Sequence, residues 1–131
     1  MTPPSVTLKI DSFPDDNSLN ILMASAWPEA PPTRFRKSLE TCLLHITAHH
    51  DDRLIGFVKV ATDGAVHAFL LDPIVHPNFQ HQGIGTRLVK EAMTLARARG
   101  AHWLHVDFES HLEAFYFQCG FTKTQAGLYH L

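Results

Sequence analysis

The fold depends on one stretch of the chain, residues 75–86, which consists of Val75-His76-Pro77-Asn78-Phe79-Gln80-His81-Gln82-Gly83-Ile84-Gly85-Thr86. An apolar strand ends here, a turn with two glycines follows, and a long helix begins. Apolar residues then recur at spacings of three and four, at Ile84, Leu88, Ala92, Leu95 and Ala96. The spacing predicts a helix between Gly83 and Gly100, with Gly100 as its C-terminal cap.

The two glycines indicate an anion site at the start of this helix. Glycine permits a turn that side chains would block, and it brings consecutive N–H groups to a helix N-terminus where no intrahelical acceptor exists. Such a position favours a phosphate. A tight strand-to-helix turn that binds nothing uses the same residue types, so this structural alternative stays open on the segment alone.

Two familiar nucleotide-binding motifs are excluded. A Walker loop needs Lys and then Ser or Thr after its second glycine, whereas Thr86 and Arg87 follow Gly85. A dinucleotide-binding loop needs a third glycine where Leu88 stands, and it follows a parallel sheet.

Upstream, the chain predicts an antiparallel meander instead. Three apolar runs of strand type are separated by polar turns at His50–Arg53 and Asp63-Gly64; the runs are Leu43–His49, Leu54–Ala61 and Ala65–Val75. Pro73 lies in the third run, and because proline has no N–H for a ladder, the strand should bulge there or leave the sheet edge.

Downstream, the helix leads into a strand at His102–Phe108, which predicts a strand-helix-strand unit with a parallel crossover. A second helical face, formed by Leu112, Phe115 and Tyr116, ends at Gly120. Residues 121–131 are expected to supply a last strand or pair of strands, which closes the sheet.

The N-terminal part predicts a strand and two short helices. The strand covers Ser5–Ile10, and the helices cover Asn17–Trp27, capped within Asp15–Ser18, and Thr33–Cys42, capped by Thr33. The whole chain, residues 1–131, is expected to form one α/β domain with a mixed, mostly antiparallel sheet and flanking helices.

The amino-acid composition limits the classes of function that the chain can have. The chain has 131 residues with 45% apolar and 18% charged side chains, and its formal charge of −2 does not point to nucleic acid as a partner. The sequence contains no candidate membrane span or secretory signal, so the expected location is cytoplasmic.

Cys42 and Cys119 match no metal-ligand spacing and are expected to be buried thiols. His102 and His105 lie an odd number of residues apart, so no metal site is expected there either.

Two segments carry a resemblance to a known family. Gln80-His81-Gln82-Gly83-Ile84-Gly85 is similar to the Gln/Arg-x-x-Gly-x-Gly/Ala motif of the GNAT superfamily of N-acetyltransferases. Phe115-Tyr116-Phe117-Gln118-Cys119-Gly120-Phe121 resembles the family's Phe-Tyr-x-x-x-Gly-Phe segment. The segments occur in the family's order, separated by one helix and one strand, and the resemblance covers Leu54–Phe121.

The resemblance implies a GNAT-like sheet whose central strand pair splays apart to hold acetyl-CoA as the co-substrate. Backbone groups of Pro73, Ile74 and Val75 would pair with the pantetheine arm. The pyrophosphate would rest on the amides of His81, Gln82, Gly83, Ile84, Gly85 and Thr86, which is the anion site already inferred from the helix start. Gln80 is uncharged where many relatives have arginine, so phosphate binding would rest chiefly on backbone amides.

The resemblance also assigns roles in catalysis. Tyr116 matches the tyrosine that gives a proton to the departing thiolate. Without the family motif, a packed aromatic on the helix would be the favoured interpretation of this residue. The base that accepts a proton from the substrate ammonium is open among Asp72, His67 and Glu109, with His105 and Asp107 as further candidates. Phe69 occupies the position where some relatives have an acid, and Glu109 stands where many have an asparagine.

The predicted function is transfer of an acetyl group from acetyl-CoA to a primary amine of a small molecule or peptide by direct attack. One alternative is a non-catalytic acyl-CoA-binding or regulatory module. A second is an α/β protein-binding domain in which the glycine turn binds nothing. A second subunit that covers the C-terminal sheet edge would make a homodimer.

Overall fold

The alternating apolar runs form a five-stranded sheet in the computed structural model, which describes residues 5–131. In both chain and spatial order the strands are β1 (Thr7–Ile10), β2 (Leu44–His50), β3 (Arg53–Thr62), β4 (His67–Val75) and β5 (Trp103–His105). Strands β1 to β4 pair antiparallel, and β5 pairs parallel with β4. The predicted meander and the parallel crossover are both confirmed.

Four α-helices accompany the sheet: α1 (Asp16–Ala26), α2 (Arg36–Thr41), α3 (Ile84–Ala98) and α4 (Glu113–Gln118). Short 3-10 turns lie at Pro77–Phe79 and Ser110–Leu112. Asp15 is the N-cap residue of α1, as predicted, but Phe35 and not Thr33 precedes α2. The expected cap was wrong because the backbone of Thr33 is bound to the side-chain amide of Asn20 on α1.

The helices cover the sheet on both faces. Helix α3 buries Leu88 and Ala92 against Val58, Val60 and Leu70 of the central strands. On the other face, α1 and α2 cover the sheet around Phe57 and Ile74 with three leucine side chains, Leu19, Leu22 and Leu39. This second cover leaves the first half of β4 and all of β5 open on that face.

Strand β4 bulges at the predicted proline. Ile74 faces Phe57 and Leu71 faces Lys59, so β4 has one residue more than β3 between these two pairs. Asp72, within the extra stretch, adopts a φ of 53°. The bulge fits Pro73 because a proline cannot donate to the ladder.

The expected C-terminal strands were wrong. No residue after His105 forms a strand in the described chain, and residues 122–131 are exposed and without regular structure. Strand β5 is also shorter than the predicted 102–108, with three residues. A strand needs a partner edge for its N–H and C=O groups, and a three-residue edge offers little to pair with.

Both cysteines are free thiols, but they differ in burial. Cys119 is buried, as expected, whereas Cys42 is partly exposed. Burial raises the pKa of each thiol, which keeps both protonated and weakly nucleophilic at neutral pH. None of the helices formed by residues 5–131 is long and apolar enough to cross a membrane.

A buried histidine joins β1 and β2 to α3. His45 Nε2 accepts the N–H of Phe13 at 2.9 Å, and the carboxylate of Asp11 binds the backbone N–H of His45 and the guanidinium of Arg99. Burial lowers the pKa of His45, against the opposing attraction of Asp11. The imidazole is therefore held neutral, because protonation at Nε2 would oppose the Phe13 N–H.

We expect acid to destabilise the fold through this group. A folded-state pKa below the unfolded value near 6.5 gives stability that is present above about pH 6.5 and lost as pH falls further. The melting temperature should therefore drop between pH 7.5 and 5, and His45→Gln should flatten that slope. His49 and His76, whose pKa values burial also lowers, contribute the remainder. An unchanged slope in His45→Gln contradicts the assignment, and exposed His102→Asn serves as the control.

Candidate active site

The last two strands of the sheet, β4 and the edge strand β5, part after a short stretch of pairing. Strand β4 pairs with β5 at three positions, His67 with Trp103, Ala68 with Leu104, and Phe69 with His105. Beyond Phe69, no residue of β4 pairs with the chain that follows β5 within residues 5–131. The opening leaves one edge of the bulged half of β4 without a partner strand, which is room for an extended ligand with its own polar groups.

The loop that carries Gly83 and Gly85 lies at the end of this opening and presents a run of backbone amides without protein hydrogen-bond acceptors. In the described chain, the backbone N–H groups of His81, Gln82, Gly83, Ile84, Gly85 and Thr86 donate to no other protein group. Gly83 has a φ of 82° with open space around it, so the turn requires a left-handed residue there. Helix α3 has neither a side-chain cap nor an acidic residue in its first turn, so its positive dipole end faces solvent uncompensated.

Two side chains brace the segment between β4 and this loop. Gln80 Nε2 donates to the backbone oxygen of Val75 at 2.9 Å, and His76 Nδ1 accepts the N–H of Asn78 at 3.1 Å. The side chain of Gln80 therefore holds the loop rather than pointing away from it. Val75 and Pro73 are half-buried, and Ile74 is buried under α1.

Three predicted segments meet at Gly85. A β-carbon at this position would lie 3.5 Å from the Phe115 ring of α4 and 3.8 Å from Val75 Cγ2 of β4. These are ordinary packing distances, so the first turn of α3 lies directly between the end of β4 and α4. The two sequence motifs, 30 residues apart at Gly85 and Phe115, thus form one contiguous region.

Two cations beside the loop were missed in the sequence. Arg87 and Lys90 of α3 line a groove of about 330 Å³, together with Thr86, the acidic Glu91, Thr94 and, on β1, Leu8. Their spacing from Gly83, four and seven residues, places them on one helix face, and this helical spacing is the signal that could have found them.

Tyr116 lies in an aromatic cluster on α4. Its ring stacks on Phe108 with centroids 4.8 Å apart and meets Phe115 and Phe121 edge to face. The side chain is 3% exposed, and burial is the main reason that its pKa rises to about 12. The phenol therefore stays protonated throughout the neutral range and is able to donate.

The three candidate bases differ in their surroundings. Asp72 forms an ion pair with Lys59 at 3.3 Å, on the sheet face that α1 and α2 cover in part. Glu109 is 83% exposed and lies 3.4 Å from His111. His67 instead contacts another imidazole, because its Nδ1 lies 2.9 Å from Nε2 of His105.

The histidine pair lies where the strands separate. His105 occupies the last paired position of β5 and stacks on Phe69, with ring centroids 4.9 Å apart. One imidazole donates to the other, which fixes the orientation of both rings and leaves His105 Nδ1 outside the shared hydrogen bond. His105 thus lies at the last pair before the opening, whereas Asp72 lies in the bulge beyond it. Asp107, further along, is exposed.

Comparisons with known proteins agree with this architecture. The family model for the acetyltransferase (GNAT) family matches residues 10–121. An uncharacterized N-acetyltransferase of Prochlorococcus marinus is 26% identical over 111 residues, which cover 82% of this chain and 62% of the relative. A probable acetyltransferase of Glycine max is 24% identical over 125 residues, covering 87% and 50%. The chain thus spans about half to three fifths of these relatives.

A solved structure shares the fold over nearly its full length. The GNAT-family acetyltransferase of Streptococcus pneumoniae superposes with a TM-score of 0.81, covering 97% of this chain and 98% of that one at 24% identity. The mixed, mostly antiparallel sheet and the flanking helices match this fold. Since the family model spans most of the sequence, the chain belongs to the GNAT family of acetyltransferases.

Proposed function

We propose that this protein transfers the acetyl group of acetyl-CoA to a primary amine by direct attack. The observation that carries the proposal is the parted β4–β5 pair, which leads into a loop with six unpaired amides. An extended arm that hydrogen-bonds to β4 and ends in a pyrophosphate fits both parts. The backbone of Ile74 and Val75 would hold the arm, where Pro73 offers its carbonyl alone.

The phosphates would lie on the amides of residues 81–86, in the positive field of the α3 dipole. Arg87 and Lys90 would add charge for the nucleotide end, in the groove beside α3. Gln80 would contribute by keeping the loop in place through Val75. Phosphate binding would therefore depend on backbone geometry more than on any single side chain.

His105 is the proposed base, and His67 is the residue that positions it. The amine acceptor reaches the thioester from the open sheet face, where His105 accepts a proton from the substrate ammonium. The freed lone pair then attacks the acetyl carbonyl, a C–N bond forms, and the C–S bond breaks. The departing thiolate takes a proton from the Tyr116 hydroxyl. The nitrogen of the new amide gives up its surplus proton, which returns through solvent to the tyrosinate, so that a neutral amide, a free thiol and the Tyr116 phenol result.

We expect Tyr116→Phe to lower kcat by about 10- to 100-fold with little change in the KM for acetyl-CoA. The variant keeps the packing of the ring and removes the donor, and a phenol with a pKa near 12 is a weak acid, so the loss lies at the low end for acid catalysis. Steady-state kinetics measures both constants. Phe108→Leu, which alters the same aromatic cluster without removing a hydroxyl, separates packing from chemistry; unchanged kcat in Tyr116→Phe removes the tyrosine from the mechanism.

Calorimetric titration of acetyl-CoA, followed by an amine screen, tests the activity itself. The screen covers aminoglycosides, polyamines, small amines and peptide N-termini, with release of the free thiol as the readout. Binding with turnover of at least one amine supports the proposal. Binding without turnover across the panel favours a non-catalytic acyl-CoA-binding module, and absence of binding leaves the α/β protein-binding domain.

A further inference from the structure

Four side chains that carry rings lie next to one another on one face of the β4–β5 pair. His67 is paired with Trp103 in the ladder, and Phe69 is paired with His105. The side chains of paired residues project to the same face of a sheet, and the residues that alternate with these four pack into the core beneath α3. The four rings, here called the ring patch, therefore lie on the opposite face, which α1 and α2 leave open.

The ring patch is flat and exposes apolar surface. The ring of Phe69 stacks on that of His105 with their planes 19° apart, and the ring centroids of His67 and His105 are 5.1 Å apart. The side chain of Trp103 is 65% exposed and that of Phe69 is 39% exposed. On the β3 side, Ala61 lies opposite Phe69 and adds only a methyl group to the surface. Neighbouring apolar rings that stay open to solvent are typical of a binding surface for another flat apolar group.

The ring patch is continuous with the proposed reaction centre. The pair of Phe69 and His105 is the last one before β4 and β5 part, and His105 is the proposed base. Trp103 lies two residues before His105 on the same face of β5, which is about 6–7 Å along the strand. An amine whose nitrogen lies at His105 therefore has room for a short alkyl chain and then a ring that lies over the indole of Trp103.

The charges around the ring patch favour an acceptor with one ammonium group over an acceptor with several. Lys59 compensates the charge of Asp72 in the bulge, at 3.3 Å. The carboxylate of Asp63 accepts two backbone N–H groups at the start of β4, away from the opening. The exposed carboxylates of Asp107 and Glu109 follow the end of β5 and lie outside the ring patch. Polyamines and aminoglycosides carry several ammonium groups, and the imidazole, indole and phenyl rings of the patch offer them no negative charge.

We infer that the acceptor is a primary monoamine with an aromatic ring on a short alkyl chain, and that Trp103 and Phe69 select it through contacts with that ring. The inference rests on the proposed function, because it names the acceptor class of that reaction. The amine would lie at His105 while the ring of the acceptor lies on the ring patch. An alkylamine without a ring would lose the contact with the indole, and a polyamine would also leave its additional ammonium groups without partners.

Steady-state kinetics of the full chain with acetyl-CoA and three amines tests the inference. Phenethylamine should have a kcat/KM about tenfold or more above those of n-butylamine and spermidine, because stacking and apolar burial of its ring contribute to binding. Trp103→Ala should lower this preference about fivefold or more, chiefly through the KM for phenethylamine, because a ring contact is made equally in the ground state and the transition state. Trp103→Phe keeps a ring and should retain most of the preference. Trp27→Ala removes another exposed tryptophan, at the end of α1, and should retain all of it.

Binding gives a second readout that does not depend on turnover. Calorimetric titration of phenethylamine into the protein saturated with CoA should give a Kd that rises about fivefold or more in Trp103→Ala and stays unchanged in Trp27→Ala. Trp103→Ala is expected to fold because its side chain is largely exposed, and circular dichroism checks this.

The inference and the proposed function fail in different ways. Acetylation of n-butylamine or spermidine with a kcat/KM equal to or above that of phenethylamine overturns the inference and leaves the proposed function standing, because an amine is still acetylated. A preference for phenethylamine that persists undiminished in folded Trp103→Ala also overturns the inference. A protein that acetylates no amine overturns both.

Discussion

A Gly83→Asp/Gly85→Asp double variant is expected to bind acetyl-CoA at least 100-fold more weakly than the wild type. Both carboxylates would lie among the unpaired amides of residues 81–86, where the phosphates are proposed to bind. Carboxylates beside the bound phosphates would repel them and weaken binding by about 3 kcal/mol or more, which corresponds to a factor of at least 100 in affinity. Calorimetric titration measures the loss directly.

The double variant should remain folded. Acidic residues at a helix N-terminus stabilise the helix, and aspartate tolerates the left-handed φ of Gly83 better than most residues. A side chain at Gly85 meets Phe115 at an ordinary packing distance. Equal binding by the folded variant and the wild type would contradict the phosphate site.

Two control variants test whether the loss of affinity depends on the added charge and on the position of the substituted glycines. Gly83→Asn/Gly85→Asn has nearly the same size without the charge, so its loss of affinity should be clearly smaller. Gly64→Asp makes the same change at another glycine with a left-handed φ, in the turn between β3 and β4 at the far end of β4 from the loop. Its affinity should equal that of the wild type.

His105→Asn is expected to lower kcat by about 100-fold or more, while acetyl-CoA binds as before. General base catalysis contributes about 10²- to 10⁴-fold, and the imidazole is the group proposed to accept the substrate proton. His67→Asn should cost less, about tenfold, because His67 acts by orienting His105 through the 2.9 Å contact. Steady-state kinetics with a saturating amine provides both values.

The pH–rate profile gives a readout that a structural role would not affect. If His105 accepts the substrate proton, the pH–rate profile of His105→Asn should differ in shape from that of the wild type, because the accepting group is absent. Two other titratable residues lie near His105. His67 contacts it directly, and the carboxylate of Asp63 interacts electrostatically with His67. His102→Asn is the matched control on the same segment. If Asp72→Asn or Glu109→Gln removes activity while His105→Asn keeps it, the base lies elsewhere.

Local sequence patterns were sufficient to predict much of the fold. Helix α3 was predictable because its apolar spacing is regular and glycines flank it at both ends, and the observed bounds, Ile84–Ala98, lie within the predicted ones. The meander was predictable because polar turns separate its runs, and the bulge because Pro73 cannot donate a hydrogen bond.

The remaining features depend on partners that are distant in sequence. Residues 121–131 were expected to form strands, but strand formation also requires a neighbouring edge long enough to pair with, and β5 has only three residues. The contact between His67 and His105 depends on the register of two parallel strands, and spacing along the chain does not determine that register. The loop residues 81–86 follow one another in the chain, so the sequence could propose them together, whereas the choice among the candidate bases depends on contacts between distant segments.

The three-pair junction between β4 and β5 also bears on how the molecule folds. Residues 67 and 103 pair although the whole of α3 lies between them in the sequence. The strands of the meander and the turns of α3, by contrast, are formed by neighbouring parts of the chain. Closing a long loop costs entropy before its contacts offset that cost, so parallel crossovers form slowly. Folding is therefore expected to complete the β4–β5 junction last, and nascent or partly folded chains would have their hairpins before they have the proposed site for acetyl-CoA.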